Sequence, residues 1–262
     1  MTQAPLSTPK IRLQNVAKSF GSNQVLRNVT LDVMPGESLV ILGGSGSGKS
    51  VLLKCILGLL PADQGSILID GLDMRGAKAV TQAALREHMS ILFQGSALFD
   101  SLPVWENIAF GLLQRGLMSR SEAHTLAIEK LAAVGLKASI ADLYPAELSG
   151  GMQRRAALAR AIAIQPDIIF FDEPTTGLDP IMSNVINELI VKVIGDMGAC
   201  AITITHDLHS ARAIAHRVAL LYQGTLVWHG PVEDMDKSGN PYMEQFIHGR
   251  AEGPIKLDIP AE

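Results

Sequence analysis

Gly43-Gly44-Ser45-Gly46-Ser47-Gly48-Lys49-Ser50 lies between the apolar run Ser38 to Leu42 and a second apolar segment that opens at Val51. Few local patterns restrict a fold so tightly. A short apolar run bounded by turn signals is a buried strand of a parallel sheet, and the residues from Lys49 onward carry a helical pattern to Leu59. Glycines let the chain between them wrap, so that backbone N–H groups and the helix N-terminus converge on an anion. In the spacing G-x-x-x-x-G-K-[ST] that anion is a nucleotide's phosphate chain, with Lys49 reaching the β- and γ-phosphates and the Ser50 hydroxyl on Mg²⁺. A glycine-rich turn with a solvated lysine is the blander alternative, and the strand–loop–helix context counts against it.

The remaining pattern fits such a core. Ile11 to Phe20 and Val25 to Val33 alternate like half-exposed strands, and Pro35-Gly36 turns the chain into the buried strand 38–42. Ser66 to Ile69, Ser90 to Phe93, Ile168 to Phe171, Cys200 to Thr205, Arg217 to Tyr222 and Thr225 to His229 read as further strands. Between Gly95 and Gln165 the period is helical, with clear helices over Ser121 to Val134 and Met152 to Ile164, and further helices start at Pro180 and Asp207. The fold class is α/β with an inserted helical region. Hydrophobic residues make up 47% of the 262 and charged residues 18%, enough for a sizeable core. A net charge of −4 argues against a nucleic-acid partner. Cys55 and Cys200 are too few and too far apart for a disulfide framework or a zinc cage. Met1 to Lys10 lacks the apolar core of a signal peptide, and the stretch Val51 to Leu60, interrupted by Lys54, falls short of the roughly 20 residues that span a bilayer. A soluble cytoplasmic chain is expected, with a mean hydropathy of +0.23 still to be explained.

Two further motifs carry chemistry. Ile168 to Phe171 runs into Asp172-Glu173, and the ends of parallel strands are where α/β sheets hold their ligands. Asp172 can hold Mg²⁺ through its water shell while Glu173 polarises the attacking water. Leu148-Ser149-Gly150-Gly151-Met152-Gln153 opens a helix bearing Arg154, Arg155 and Arg160, with Ser149 as N-cap and two glycines exposing helix N–H groups. Taken in order, the phosphate loop, Gln94 at a strand end, the LSGGM-Q signature, Asp172-Glu173, Gly177-Leu178-Asp179-Pro180 and His206 after a strand resemble the nucleotide-binding subunits of ABC transporters along nearly the whole chain.

That resemblance implies a P-loop NTPase (RecA-like) core with an N-terminal antiparallel β subdomain and an inserted α-helical subdomain. Residues 1–94 and 166–235 would form the nucleotide-binding core, 95–165 the helical subdomain with the signature, and 236–262 a C-terminal helix and extended tail that contacts a dimer partner. ATP and Mg²⁺ are the implied ligands. The nucleotide would be held by Phe20, stacked on adenine, by Gly43, Gly44, Ser45, Gly46, Ser47, Gly48, Lys49, Ser50 and Val51, and by Ser149, Gly150, Gly151 and Asp179, the last communicating across the dimer. Ser149 and Gly151 would serve the loop of a second copy of the chain, making ATP the glue of a head-to-tail homodimer. Ser50, Gln94 and Asp172 would hold the metal, and Glu173, His206, Gln94 and Lys49 would carry catalysis, His206 by contacting the γ-phosphate.

The family also implies an integral-membrane permease that keeps the subunit on the cytoplasmic face of the inner membrane. Apolar residues crowd the segment after Gln94, and Phe99, Leu102 and Trp105 are the candidates for contact with that permease. Phe93-Gln94-Gly95-Ser96-Ala97-Leu98-Phe99 and the tail from Gln245 to Ile255 resemble the ATPases of the Mla lipid-asymmetry systems. That branch moves phospholipid between inner and outer membranes, with a periplasmic lipid-binding subunit and a small cytoplasmic regulatory protein as further partners. The alternatives are an importer of another apolar compound such as a sterol, and a stand-alone ABC ATPase of iron–sulfur cluster assembly.

Overall fold

A computed structural model describes residues 8–256. In chain order it runs β1 (Ile11–Phe20), β2 (Asn23–Val33), β3 (Ser38–Leu42), α1 (Lys49–Ile56), β4 (Gln64–Ile69), β5 (Leu72–Asp73), α2 (Ala79–Glu87), β6 (Met89–Leu92), α3 (Val104–Gln114), α4 (Arg120–Ala133), α5 (Gly150–Ala163), β7 (Ile168–Asp172), α6 (Pro180–Met197), β8 (Cys200–Thr205), α7 (Leu208–Ile214), β9 (Arg217–Tyr222), β10 (Thr225–Pro231) and α8 (Pro241–His248). The chain forms two compact units, one from the residues up to Ala77 together with those from Ile204 onward, the other from Lys78–Thr203.

In the first unit β1 is the centre of an antiparallel sheet ordered β2-β1-β4-β5, in which Ile11 faces Val33 on one side and Ile69 on the other. Alternation puts Ile11 and Leu13 inside, and a register shift at Asn15, which takes φ 49°, brings Val16 in after them. The second structural group is β3, buried at every residue, paired in parallel with β9, which pairs in turn antiparallel to β10. An unbroken apolar strand needs cover on both faces, and α1 contributes Leu52, Leu53, Cys55 and Ile56 to the core. Burial pushes the Cys55 thiol up to about 11, so this cysteine behaves as a small hydrophobe. The helix stops at Ile56, short of Leu59, because Gly58 takes φ 66°. The tail begins after α8, and its described part is tied to its own chain. The buried Gln245 amide donates to the carbonyls of Arg250 and Ile255 and accepts from the Ile255 N–H, and the Lys256 N–H donates to the Tyr222 hydroxyl. The expected N-terminal segment 1–7 and the last tail residues, 257–262, lie outside the described residues.

In the second unit β6 and β7 run parallel, Leu92 level with Phe171, and the completely buried Phe170 and Phe171 anchor the core. No strand interrupts the chain from α3 to α5, as the helical period of this region predicts. α4 opens on a reciprocal cap in which Ser119 and Glu122 satisfy each other's N–H groups. Asp179 caps α6, its Oδ1 accepting from the Met182 N–H at 2.9 Å, with Pro180 at the first helical position and Gly198 at φ 62° closing the other end. No helix among the described residues is long and apolar enough to cross a membrane.

Candidate nucleotide and hydrolysis residues

The loop after β3 is shaped by what cannot fit in it. Gly43 passes so close to the Leu221 carbonyl and the Ser47 hydroxyl that a Cβ would stand 2.5 and 2.6 Å from them. Gly48, the N-cap of α1, holds φ 106°, and a Cβ there would lie 3.0 Å from the Leu26 side chain and the Val25 carbonyl. Between these fixed ends Gly44, Ser45 and Gly46 are exposed, and Cβ positions on the two glycines face open space. Lys49 folds inward. Its side chain is buried and Nζ donates to the carbonyls of Gly43 at 2.7 Å and Gly44 at 2.9 Å, which leaves an ammonium at the mouth of a loop of N–H groups. Ser50, in the first turn of α1, is exposed.

Two other predicted residues belong to the same unit. Phe20 ends β1 and is 49% exposed, so it is not a core phenylalanine. The ammonium of Lys18, fixed by Asp63 at 2.7 Å, sits 5.5 Å from the centre of its ring. His206 is exposed directly after β8, and the next residue stiffens the turn. Burial alone would raise the Asp207 carboxyl. Bonds from the Ser210 hydroxyl and from the His209 and Ser210 N–H groups outweigh it and hold the carboxyl below the usual carboxylate range.

In the second unit β7 delivers Asp172 and Glu173, both half-buried, at its end. Glu173 takes φ 49°, a left-handed conformation uncommon outside glycine and typical of functional turns. The Thr176 hydroxyl donates to its Oε2 at 2.9 Å. Gln94 is exposed just beyond β6, and Ser96 and Ala97 after it are consecutively left-handed at φ 63° and 48°. The Ser149 hydroxyl caps α5 by accepting from the Met152 N–H at 3.3 Å. Gly150 is exposed, whereas Gly151 is buried with its Cβ position 2.9 Å from the Met182 sulfur, so a larger residue there would have to displace the Met182 side chain.

The sequence matches the family described as ABC transporter over residues 26–176, more than half of the chain. The chain belongs to the ABC transporter family. It is 37% identical, over 96% of its length and 93% of the relative's, to the intermembrane phospholipid transport system ATP-binding protein MlaF of Escherichia coli K12. It is 40% identical over 94% of its length to the probable ribonucleotide transport ATP-binding protein mkl of Mycobacterium leprae, covering 71% of that protein. Among solved structures, a dimeric post-hydrolysis state of the ATP-binding cassette MJ0796 bound to ADP and Pi superposes with a TM-score of 0.77 at 33% identity, covering 85% of this chain and 98% of that one.

Membership in the ABC family accounts for the α/β fold with its antiparallel sheet and helical insertion. One expectation made on apolar density is corrected. Trp105 is not available to a permease: it is buried, with the Arg120 guanidinium 4.9 Å from its ring centre and His124 at 5.5 Å. Phe99 is 43% exposed and Leu102 is half-buried. Sequence reasoning missed the residue that shapes this segment. Asn107 is fully buried in α3, accepts from the Phe99 N–H at 2.7 Å, and donates to the carbonyls of Phe99, Leu102 and Pro103. Its only legible signal was an amide beside Glu106 in a largely apolar helical stretch.

Proposed function

We propose that this ABC ATPase powers phospholipid transport between the inner and outer membranes. What supports the substrate is the near-full-length likeness to a protein named for intermembrane phospholipid transport. A relative from Arabidopsis thaliana, 38% identical over 94% of the chain, is likewise named for a glycolipid, trigalactosyldiacylglycerol. The loop geometry supports the nucleotide. A triphosphate fits where exposed N–H groups, a helix N-terminus and a buried ammonium converge without side chains to obstruct it.

In this scheme Lys49 and the amides of 43–51 hold the phosphates, and Phe20 offers its open ring face to adenine. Ser50 and Gln94 would give oxygen donors to Mg²⁺ and Asp172 would hold it through its water shell, in keeping with a metal commonly bound by one or two protein groups together with substrate phosphates. When bound it neutralises charge on the phosphate oxygens. Glu173 accepts the proton of the attacking water, and His206 hydrogen-bonds the γ-phosphate. Ser149, Gly150 and Gly151 of one copy present the α5 N-terminus to the γ-phosphate on a second copy, with Asp179 beside them. We carry the motif-based division over as a functional one: 1–94 and 166–235 bind nucleotide, 95–165 carries the signature, and 236–262 meets the dimer partner. The complex includes a membrane permease, a periplasmic lipid-binding subunit and a small regulatory protein, and the ATPase lies on the cytoplasmic face.

Two experiments test this. Purified in detergent from its native host, the chain is expected to bring down a multi-spanning membrane protein and phospholipid identifiable by mass spectrometry. Ribonucleotide, a sterol, or soluble assembly proteins alone would overturn the lipid assignment. Ser149→Arg places bulk and positive charge at the helix N-terminus and is expected to leave ATP binding within about 3-fold while abolishing ATP-dependent dimerisation and hydrolysis. Dimerisation at the normal ATP concentration in that variant would remove the head-to-tail arrangement.

A further inference from the structure

Arg154, on the second turn of α5, is 6% exposed. Among the described residues no carboxylate pairs with it. Its guanidinium instead spans two backbone segments, Nη1 donating to the Phe93 carbonyl at 3.1 Å and Nη2 to the Thr176 carbonyl at 3.2 Å. Phe93 immediately precedes Gln94, and Thr176 is the residue whose hydroxyl holds Glu173. Six residues further along the same helix, Arg160 donates to the carbonyls of Ser96 at 2.9 Å and Ala97 at 2.8 Å, the two left-handed residues beyond Gln94. The Gln94 segment is therefore held on both sides by arginines of the helix that Ser149 caps.

A buried cation facing only carbonyl dipoles is a costly way to join two loops. An apolar side chain would fill the space with less desolvation. What the guanidinium adds is a rigid planar fork that fixes two acceptors relative to each other, which a flexible ammonium does not do. Loops carrying reacting groups need this kind of support, since displacements near 1 Å can lower a rate by about 100-fold.

We propose that Arg154 is a positioning residue that holds Gln94 and Glu173 in one register for ATP hydrolysis. It acts through the carbonyl before Gln94 and through Thr176, and it touches no substrate. The proposal rests on the catalytic roles given above to Gln94 and Glu173.

The test is a double-mutant cycle in steady-state ATP hydrolysis by the full chain. Arg154→Lys is expected to lower kcat about 10-fold with KM for ATP and the melting temperature little changed, because the ammonium keeps the charge and loses the fork. Gln94→Ala lowers kcat by itself. The double variant should be slower than either single one by less than the product of the two losses, since the Gln94 arm of the fork is already removed and only the Glu173 arm remains to be lost. If the two losses multiply, Arg154 does not act through Gln94 and the proposal falls while the role of Gln94 stands. If Gln94→Ala leaves turnover unchanged, the role of Gln94 fails and the proposal with it. Should Arg154 variants not fold, Thr176→Val keeps the carbonyl that Arg154 binds and removes only the hydroxyl on Glu173. It is expected to lower kcat about 10-fold at constant KM, and unchanged turnover would overturn the Glu173 arm.

Discussion

Glu173→Gln is expected to lower ATP turnover by about 10²–10⁴-fold while leaving nucleotide binding intact, the range a positioned general base contributes. Glutamine has the same shape, and its amide oxygen can still accept from the Thr176 hydroxyl, so the left-handed turn at φ 49° need not move. What it lacks is a carboxylate able to take a proton from water. Phosphate release under saturating ATP measures the loss, and equilibrium binding of a fluorescent ATP analogue checks that the phosphate loop is undisturbed. Because hydrolysis ends the nucleotide-bound state, the variant should also accumulate as an ATP-bound dimer. Turnover within 3-fold of the parent chain would place the base elsewhere.

Gly48→Ala is expected to abolish measurable ATP binding at millimolar nucleotide. The added Cβ meets a backbone carbonyl as well as a leucine methyl, and Val25 belongs to β2, which cannot retreat without disturbing its pairing with β1. At φ 106° alanine is also strained, at a cost of about 1–3 kcal/mol. The least costly relief is for the first turn of α1 to shift, which moves the loop N–H groups and Lys49 off their common focus. Gly195→Ala provides the control. It lies in α6 with nothing within 4 Å of its Cβ position, and the change should raise stability by up to about 1 kcal/mol through helix propensity. Normal ATP affinity in the Gly48 variant would mean that the loop does not set the phosphate site.

How legible these features were depended on the kind of interaction that makes them. The phosphate loop, Asp172-Glu173 and the Ser149 cap could be read directly because each couples a residue type to its immediate neighbours in the chain. Strands β3 and β7 could be read because a strand covered on both faces is pressed toward continuous apolar residues, and β8 because β-branched Ile and Thr alternate along it. α2 went unread since none of its residues is buried, so no stripe marks it. Trp105 was misplaced because apolar density does not say which side of a helix is covered, and the covering groups here are Arg120 and His124. The Arg154 fork was invisible for a deeper reason. Its acceptors are main-chain carbonyls, which every residue possesses, and they stand 61 and 22 positions away. Only the folded chain shows which carbonyls those are.

The bonds from Lys49 to the Gly43 and Gly44 carbonyls bear on how the site would respond to changing nucleotide supply. An ammonium already housed in the loop does not have to be recruited from solvent when a phosphate arrives. Capture becomes an exchange of one set of oxygens for another, with little chain to order and little water to strip from the cation. A receptor of this kind gains speed of engagement at the expense of affinity, since every bond made to the incoming anion is weighed against one already satisfied. Under the proposed function, such a site would release its spent ligand readily, a useful property in a subunit that must empty before each new cycle.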